Sequence, residues 1–190
     1  MTEFRREWTA FHGDTVALAF ELRDIEAKPW VRFHALPHSQ RYADNDAERQ
    51  EIHRRAAILG NQVLLAGAPC WLVQYRQEYD HDSDWRKLES EFDPDLDHYE
   101  DRRTAFDTEP WGVNWYGFAR QVIWDAEAFR DLLRDVAEER TGPTLFMSRE
   151  TGQIFAPYDG GFDIFPATAD HVAALKNQYS NWLSDHPSGL

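Results

Sequence analysis

Carboxylates are the most abundant chemical groups in this sequence, and two of them flank a tight turn near its end. Asp159 and Asp163 lie in the run Gln153-Ile154-Phe155-Ala156-Pro157-Tyr158-Asp159-Gly160-Gly161-Phe162-Asp163-Ile164-Phe165. Two carboxylates and a histidine can divide acid and base roles between them. Phe20-Glu21 and the segment from Trp30 to His34 are the groups that would line a pocket with this pair, with Glu21 and His34 as its further titratable side chains. The other reading is structural. Ile154-Phe155 and Phe162 to Phe165 are β-type runs, and Asp-Gly-Gly between them is a turn signal, because glycine reaches positive φ freely. Pro157 cannot donate a ladder hydrogen bond, so it ends the first run or sits on an edge. Tyr158, Asp159, Gly160, Gly161 and Asp163 are then the turn of a compact hairpin. We adopt the hairpin and assign no catalytic residue; a small hydrolase-like enzyme using Asp159 and Asp163 is the alternative.

Other candidate chemistry fails on spacing. Asp93-Pro94-Asp95-Leu96-Asp97 opens like a calcium loop, but His98 stands where the sharp turn needs glycine and Thr104 where a bidentate glutamate should close it. The eight histidines are scattered. His34 and His38 flank Pro37, yet no His-Glu-x-x-His occurs, and a lone cysteine excludes a thiolate zinc cluster. That cysteine, Cys70, sits in the apolar run Pro69-Cys70-Trp71-Leu72-Val73 and reads as a core residue. No Gly-x-Ser-x-Gly, phosphate loop or dinucleotide fingerprint is present. We expect neither metal nor cofactor.

Charge says more. The chain carries 34 acidic and 20 basic side chains among 190 residues, a formal −14. Such a balance disfavours nucleic acid and anionic lipid, whose binding depends on Lys and Arg. A basic protein partner, steered by the field, is the expectation. Acids concentrate between Glu78 and Asp101, where aromatics are interleaved as in an interface core with a charged rim. The candidate partner-binding residues are Asp80, Asp82, Asp84, Trp85, Glu91, Phe92, Asp93, Asp95, Asp97, Tyr99, Glu100 and Asp101. A solvated loop that keeps the protein soluble is the other reading of this run.

These groups need a scaffold. A chain of this length makes one domain, 1–190, with 78–110 as an acidic loop or insertion. Aromatics at 14% mark it as folded despite a mean hydropathy of −0.68. Phe4, Trp8 and Phe11 fall on one stripe of a short helix. Thr15 to Leu22 and Trp30 to Leu36 read as strands. Asp44-Asn45-Asp46 caps a helix running roughly from Ala47 to Leu65, ended by Gly67. Strands follow at Cys70–Arg76, Trp115–Trp124 and Thr144–Ser148. Asp125 caps a helix from Ala126 to about Arg140, and Thr168 caps the last one. This order predicts an α+β fold, a mostly antiparallel sheet with helices packed on one face. No apolar stretch approaches the roughly 20 residues of a membrane span. The charged N-terminus has no signal-peptide core, and the expected compartment is the cytoplasm.

One resemblance rests on specific residues. Ile154-Phe155-x-x-Tyr158-Asp159-Gly160-Gly161-x-Asp163-Ile164, followed by a helix ending Tyr179-x-x-Trp182-Leu183, resembles a bacterial domain-of-unknown-function family, DUF3885. Ala19-Phe20-Glu21-Leu22 and Arg55-Ala56 resemble that family's Arg-Phe-Glu-Leu and Arg-Ala segments. Here the turn lacks the family's Asp-Arg pair, and alanine replaces the first arginine. The resemblance implies no activity and transfers no catalytic residue. By class, small acidic cysteine-poor chains resemble immunity proteins, which plug the cleft of a basic antibacterial toxin of nuclease or deaminase type. A ligand-binding regulator is the remaining expectation.

Overall fold

Seven strands form one antiparallel sheet in the computed structural model of the chain, which describes residues 1–78, 97–106 and 109–184. The strands are β1 (Val31–His34), β2 (Pro69–Glu78), β3 (Asp97–Phe106), β4 (Glu109–Ile123), β5 (Thr144–Ser148), β6 (Ile154–Tyr158) and β7 (Gly161–Phe165). Their spatial order is β1-β7-β6-β5-β2-β4-β3, and every neighbouring pair is antiparallel. Five α-helices are described: α1 (Glu3–His12), α2 (Ala19–Arg23), α3 (Asp46–Val63), α4 (Arg130–Ala137) and α5 (Ala169–Gln178). The α+β class is as expected.

The helices cover both faces of the sheet, not one. Side chains alternate along a strand, so each central strand feeds two cores. Phe146, Phe155, Phe162, Phe33 and Trp124 pack beneath α3, α4 and α5. Leu145, Met147, Ile154 and Phe165 pack on the other side with Phe4 and Trp8 of α1 and Leu22 of α2. Strands apolar on both sides, such as Thr144-Leu145-Phe146-Met147-Ser148, are buried throughout. Each large side chain buried this way stabilises by about 1.5–3 kcal/mol.

Local chemistry sets the helix ends. The Thr2 hydroxyl accepts from Arg5 N, Asn45 Oδ1 from Glu48 N and Thr168 Oγ1 from His171 N, each satisfying an orphan donor of the first turn. The expected strand over Thr15–Leu22 is wrong: its second half is α2, with Leu18 and Leu22 buried one turn apart. Ala-Phe-Glu-Leu-Arg is built largely of good helix formers, and a short apolar run does not distinguish helix from buried strand by periodicity. The helix expected from Ala126 begins only at Arg130; Asp125 Oδ1 instead accepts from Glu127 N and, at 3.4 Å, from Ala128 N, holding a turn ahead of it.

The stretch 78–110 is not loop throughout, because it contains β3 and the start of β4. Residues 79–96 lead from the end of β2 to the start of β3, an edge strand on the far side of β4.

Candidate functional site

The hairpin of β6 and β7 forms with Tyr158 opposite Gly161, so Asp159 and Gly160 alone make the connection. Neither Gly160 nor Gly161 has a positive φ, contrary to the turn chemistry expected of Asp-Gly-Gly. What fixes Gly161 is crowding. A Cβ there would run into the Phe33 carbonyl oxygen across the β1–β7 pairing, and would meet the Tyr158 hydroxyl at 2.9 Å. At Gly160 the nearest atom is the edge of the Tyr158 ring at 3.0 Å, a milder contact.

Pro157 lies inside β6, and it explains the opening beside the hairpin. Ser148 N donates to Gln153 O and Phe146 pairs with Phe155, so beyond Leu145 and Ala156 the next pair that would exchange ladder hydrogen bonds is Thr144 and Pro157. Pro157 has no N–H to give. The β5–β6 pairing stops at Phe146 and Phe155, and a cleft of about 490 Å³ opens where the two strands part. Thr144, Leu145, Ala156, Pro157 and Tyr158 line it, α2 contributes Ala19, Phe20 and Arg23, and Arg32, Arg41 and Glu139 complete its polar wall with Asp159 and Asp163.

Both carboxylates of the hairpin are already engaged. Asp163 is 3% exposed, and it accepts from Trp30 Nε1 at 3.0 Å, Arg32 Nε at 2.8 Å and Arg32 Nη2 at 3.0 Å. Burial works against the Arg32 charge, but the Asp163 fork outweighs it and holds the guanidinium pKa above its usual value. The guanidinium carbon also lies 4.6 Å from the centre of the Tyr158 ring. Asp159 is held by Arg41 Nε, and the Tyr42 hydroxyl donates to Glu139 at 2.6 Å and lies 3.3 Å from Asp159. Burial pushes the Tyr158 phenol up to about 12, so it stays neutral.

This arrangement is not the acid–base pocket the sequence offered as an alternative. Phe20, Arg32, Asp159 and Asp163 do line one cleft, but Glu21, Trp30 and His34 do not. His34 Nε2 is instead 3.2 Å from the Ser39 hydroxyl. The arginines were the missed residues. Arg32 and Arg41 lie over aromatic rings, those of Trp30, Tyr158 and Tyr42, but only the fold brings 23, 32 and 41 together.

Among the described residues no group of three His, Cys, Asp or Glu side chains is placed to hold a metal. Cys70 is fully buried, and burial raises its thiol to about 12, which leaves it protonated and unreactive.

Of the candidate partner-binding residues, Asp80, Asp82, Asp84, Trp85, Glu91, Phe92, Asp93 and Asp95 lie outside the described residues. Asp97 is exposed at the start of β3, and Glu100 and Asp101 follow on that strand. Tyr99 turns inward. Its ring centre is 4.6 Å from Phe4 and 6.0 Å from Tyr75, and a Cβ at position 117 would strike it, so it belongs to the core under α1.

No helix of the described residues is long and apolar enough to cross a membrane. A family model described as Domain of unknown function (DUF3885) matches residues 18–187. No curated protein and no solved structure matches the chain.

Proposed function

We propose that this chain, which belongs to the DUF3885 family, is a non-enzymatic acidic binding protein that captures a basic protein partner. One observation carries the reading. Between Glu78 and Asp101 there are eleven carboxylates and two basic side chains, a net −9 out of the chain's −14. Elsewhere acids are commonly matched: Glu3 and Glu7 serve Arg149, Glu51 serves Arg54 and Arg55, and Asp163 serves Arg32. A surplus this concentrated raises the encounter rate with a basic surface. The two hairpin carboxylates are committed to arginines, which supports binding over turnover. The partner class that fits is a basic antibacterial toxin domain of nuclease or deaminase type, whose nucleic-acid cleft the acidic segment would occlude. In that reading the protein is a bacterial immunity protein acting in the cytoplasm.

The test is association kinetics with the product of the neighbouring gene, for the wild type and for a variant with Asp93, Asp95 and Asp97 all changed to Lys. Reversal should slow association at least tenfold at low salt and flatten its salt dependence. A wild type that retains no partner, or a reversed variant that binds as fast, overturns the proposal.

A further inference from the structure

The cleft between β5 and β6 has a different chemical character from the rest of this acidic chain. We propose that it binds a small organic anion, whose oxyanion head is taken by Arg23 and Arg32 and whose apolar body lies against Leu18, Phe20 and Leu145. The inference does not rest on the acidic segment, since all the lining residues fall between 17 and 41 or between 136 and 163.

Donor bookkeeping decides the sign of the ligand's charge. Asp163 spends its two oxygens on three donors, and Asp159 and Glu139 both serve Arg41, with Tyr42 adding a further donor. The carboxylates of the cleft therefore have little capacity left for a cation. The arginines do have capacity. Arg32 gives Nε and Nη2 to Asp163, while its Nη1 has no protein partner among the described residues. Arg23 has, among the described residues, only a long 3.9 Å pairing with Asp24, a carboxylate that is 81% exposed. Spare capacity is thus on the donor side, in planar forks that match carboxylate or phosphate geometry.

The site is also built to stay in place. The Asp163 fork and the Tyr158 ring beneath it fix the Arg32 guanidinium, so little ordering cost remains at the moment of binding. A volume of about 490 Å³ is in the range of small-molecule pockets, and its apolar wall from α2 and β5 gives a ligand more than a charge to bind. The chain's overall −14 does not forbid an anion here. At physiological ionic strength charges are screened beyond about 8 Å, so the local lining decides, and there Arg23, Arg32 and Arg41 balance Glu139, Asp159 and Asp163.

The test is titration calorimetry with phenylphosphate, using benzyl alcohol as the neutral counterpart and inorganic phosphate as the head alone. Arg23 lies at the C-terminal end of a five-residue helix with its side chain 30% exposed, so Arg23→Gln and Arg23→Lys should melt like the wild type. The expected result is saturable one-to-one binding of phenylphosphate, weakened at least tenfold by Arg23→Gln and partly retained by Arg23→Lys. Amide shifts in nitrogen-resolved NMR should map to Ala19, Thr144, Ala156 and Tyr158. No saturation at millimolar phenylphosphate overturns the proposal, as does equal affinity in Arg23→Gln or shifts centred elsewhere. Equal binding of benzyl alcohol removes the anion from the assignment, and equal binding of inorganic phosphate removes the apolar body.

Discussion

Asp163 holds Arg32 and Trp30 together beneath the cleft, and removing its charge should be costly. Its side chain is 4% exposed and that of Arg32 11%, so Asp163→Asn leaves a largely buried guanidinium without its counter-charge. Breaking a buried pair in this way costs about 3–5 kcal/mol, and a loss near 3 kcal/mol is expected from urea denaturation. Asp159→Asn is the control. Arg41 is 59% exposed, and a pair open to solvent contributes about 1 kcal/mol at most. Equal losses in the two variants would show that burial does not separate these carboxylates. A second residue speaks through pH. Burial lowers the His12 pKa to about 4, and the Lys28 ammonium 2.9 Å away adds to that. Between about 6.5 and about 4 the unfolded chain therefore binds a proton at His12 that the folded chain refuses, so stability falls as pH drops through this window. In His12→Asn the slope of unfolding free energy against pH should be shallower there by up to about 1.4 kcal/mol per pH unit. An unchanged slope would mean that His12 titrates alike in both states.

The β6–β7 hairpin shows how an element can be legible while its reason is not. The short β-type runs Ile154-Phe155 and Phe162 to Phe165 around Asp-Gly-Gly point to both strands, but the positive φ that such a turn predicts is found at neither glycine. Gly161→Ala should cost several kcal/mol because the methyl group meets a backbone carbonyl that cannot swing away, whereas Gly160→Ala should cost less than 1 kcal/mol. Thermal melts of the two variants check this, and a Gly160 variant that melts lower than the Gly161 variant would count against the crowding argument. Contacts of this type are long-range, here between residues 33 and 161, and no local pattern encodes them. The same limit explains the cleft. Pro157 was legible as a ladder breaker, yet that its missing N–H faces Thr144 depends on the β5–β6 register. Leu18 and Leu22, buried one helical turn apart, lie in an apolar run that also satisfies a strand, and only packing against Trp8 and its neighbours decides for the helix. Strand β3 was missed because acids at Asp97, Glu100 and Asp101 give no alternation of apolar residues, and an edge strand needs none.

At the scale of the whole molecule, charge is partitioned as well as abundant. Composition alone gave the −14, and the antiparallel α+β class followed from the order of elements, but that the sheet carries helices on both faces required the two-sided burial of β5, β6 and β7. Self-repulsion among like charges destabilises a compact state, and salt relieves it within a Debye length of about 10 Å at 0.1 M and about 30 Å at 0.01 M. Nine units of the net charge sit between Glu78 and Asp101, so most of the relief should originate there. Raising sodium chloride from about 10 to about 150 mM should therefore raise the Tm by a few degrees, a shift that corresponds to about 1 kcal/mol for a chain of this size. With Asp93, Asp95 and Asp97 reversed to Lys, the local net charge falls to −3 and the salt-induced gain should shrink by more than half. Reversing three acids elsewhere to Lys, for example Asp131, Glu150 and Asp170, supplies the matched comparison, because it shifts the total by the same amount without touching the segment. If both triple variants lose the same share of the salt response, the charge acts as a diffuse total. If only the reversed segment loses it, the repulsion is local, and the same concentrated field is what a basic partner would discharge on binding.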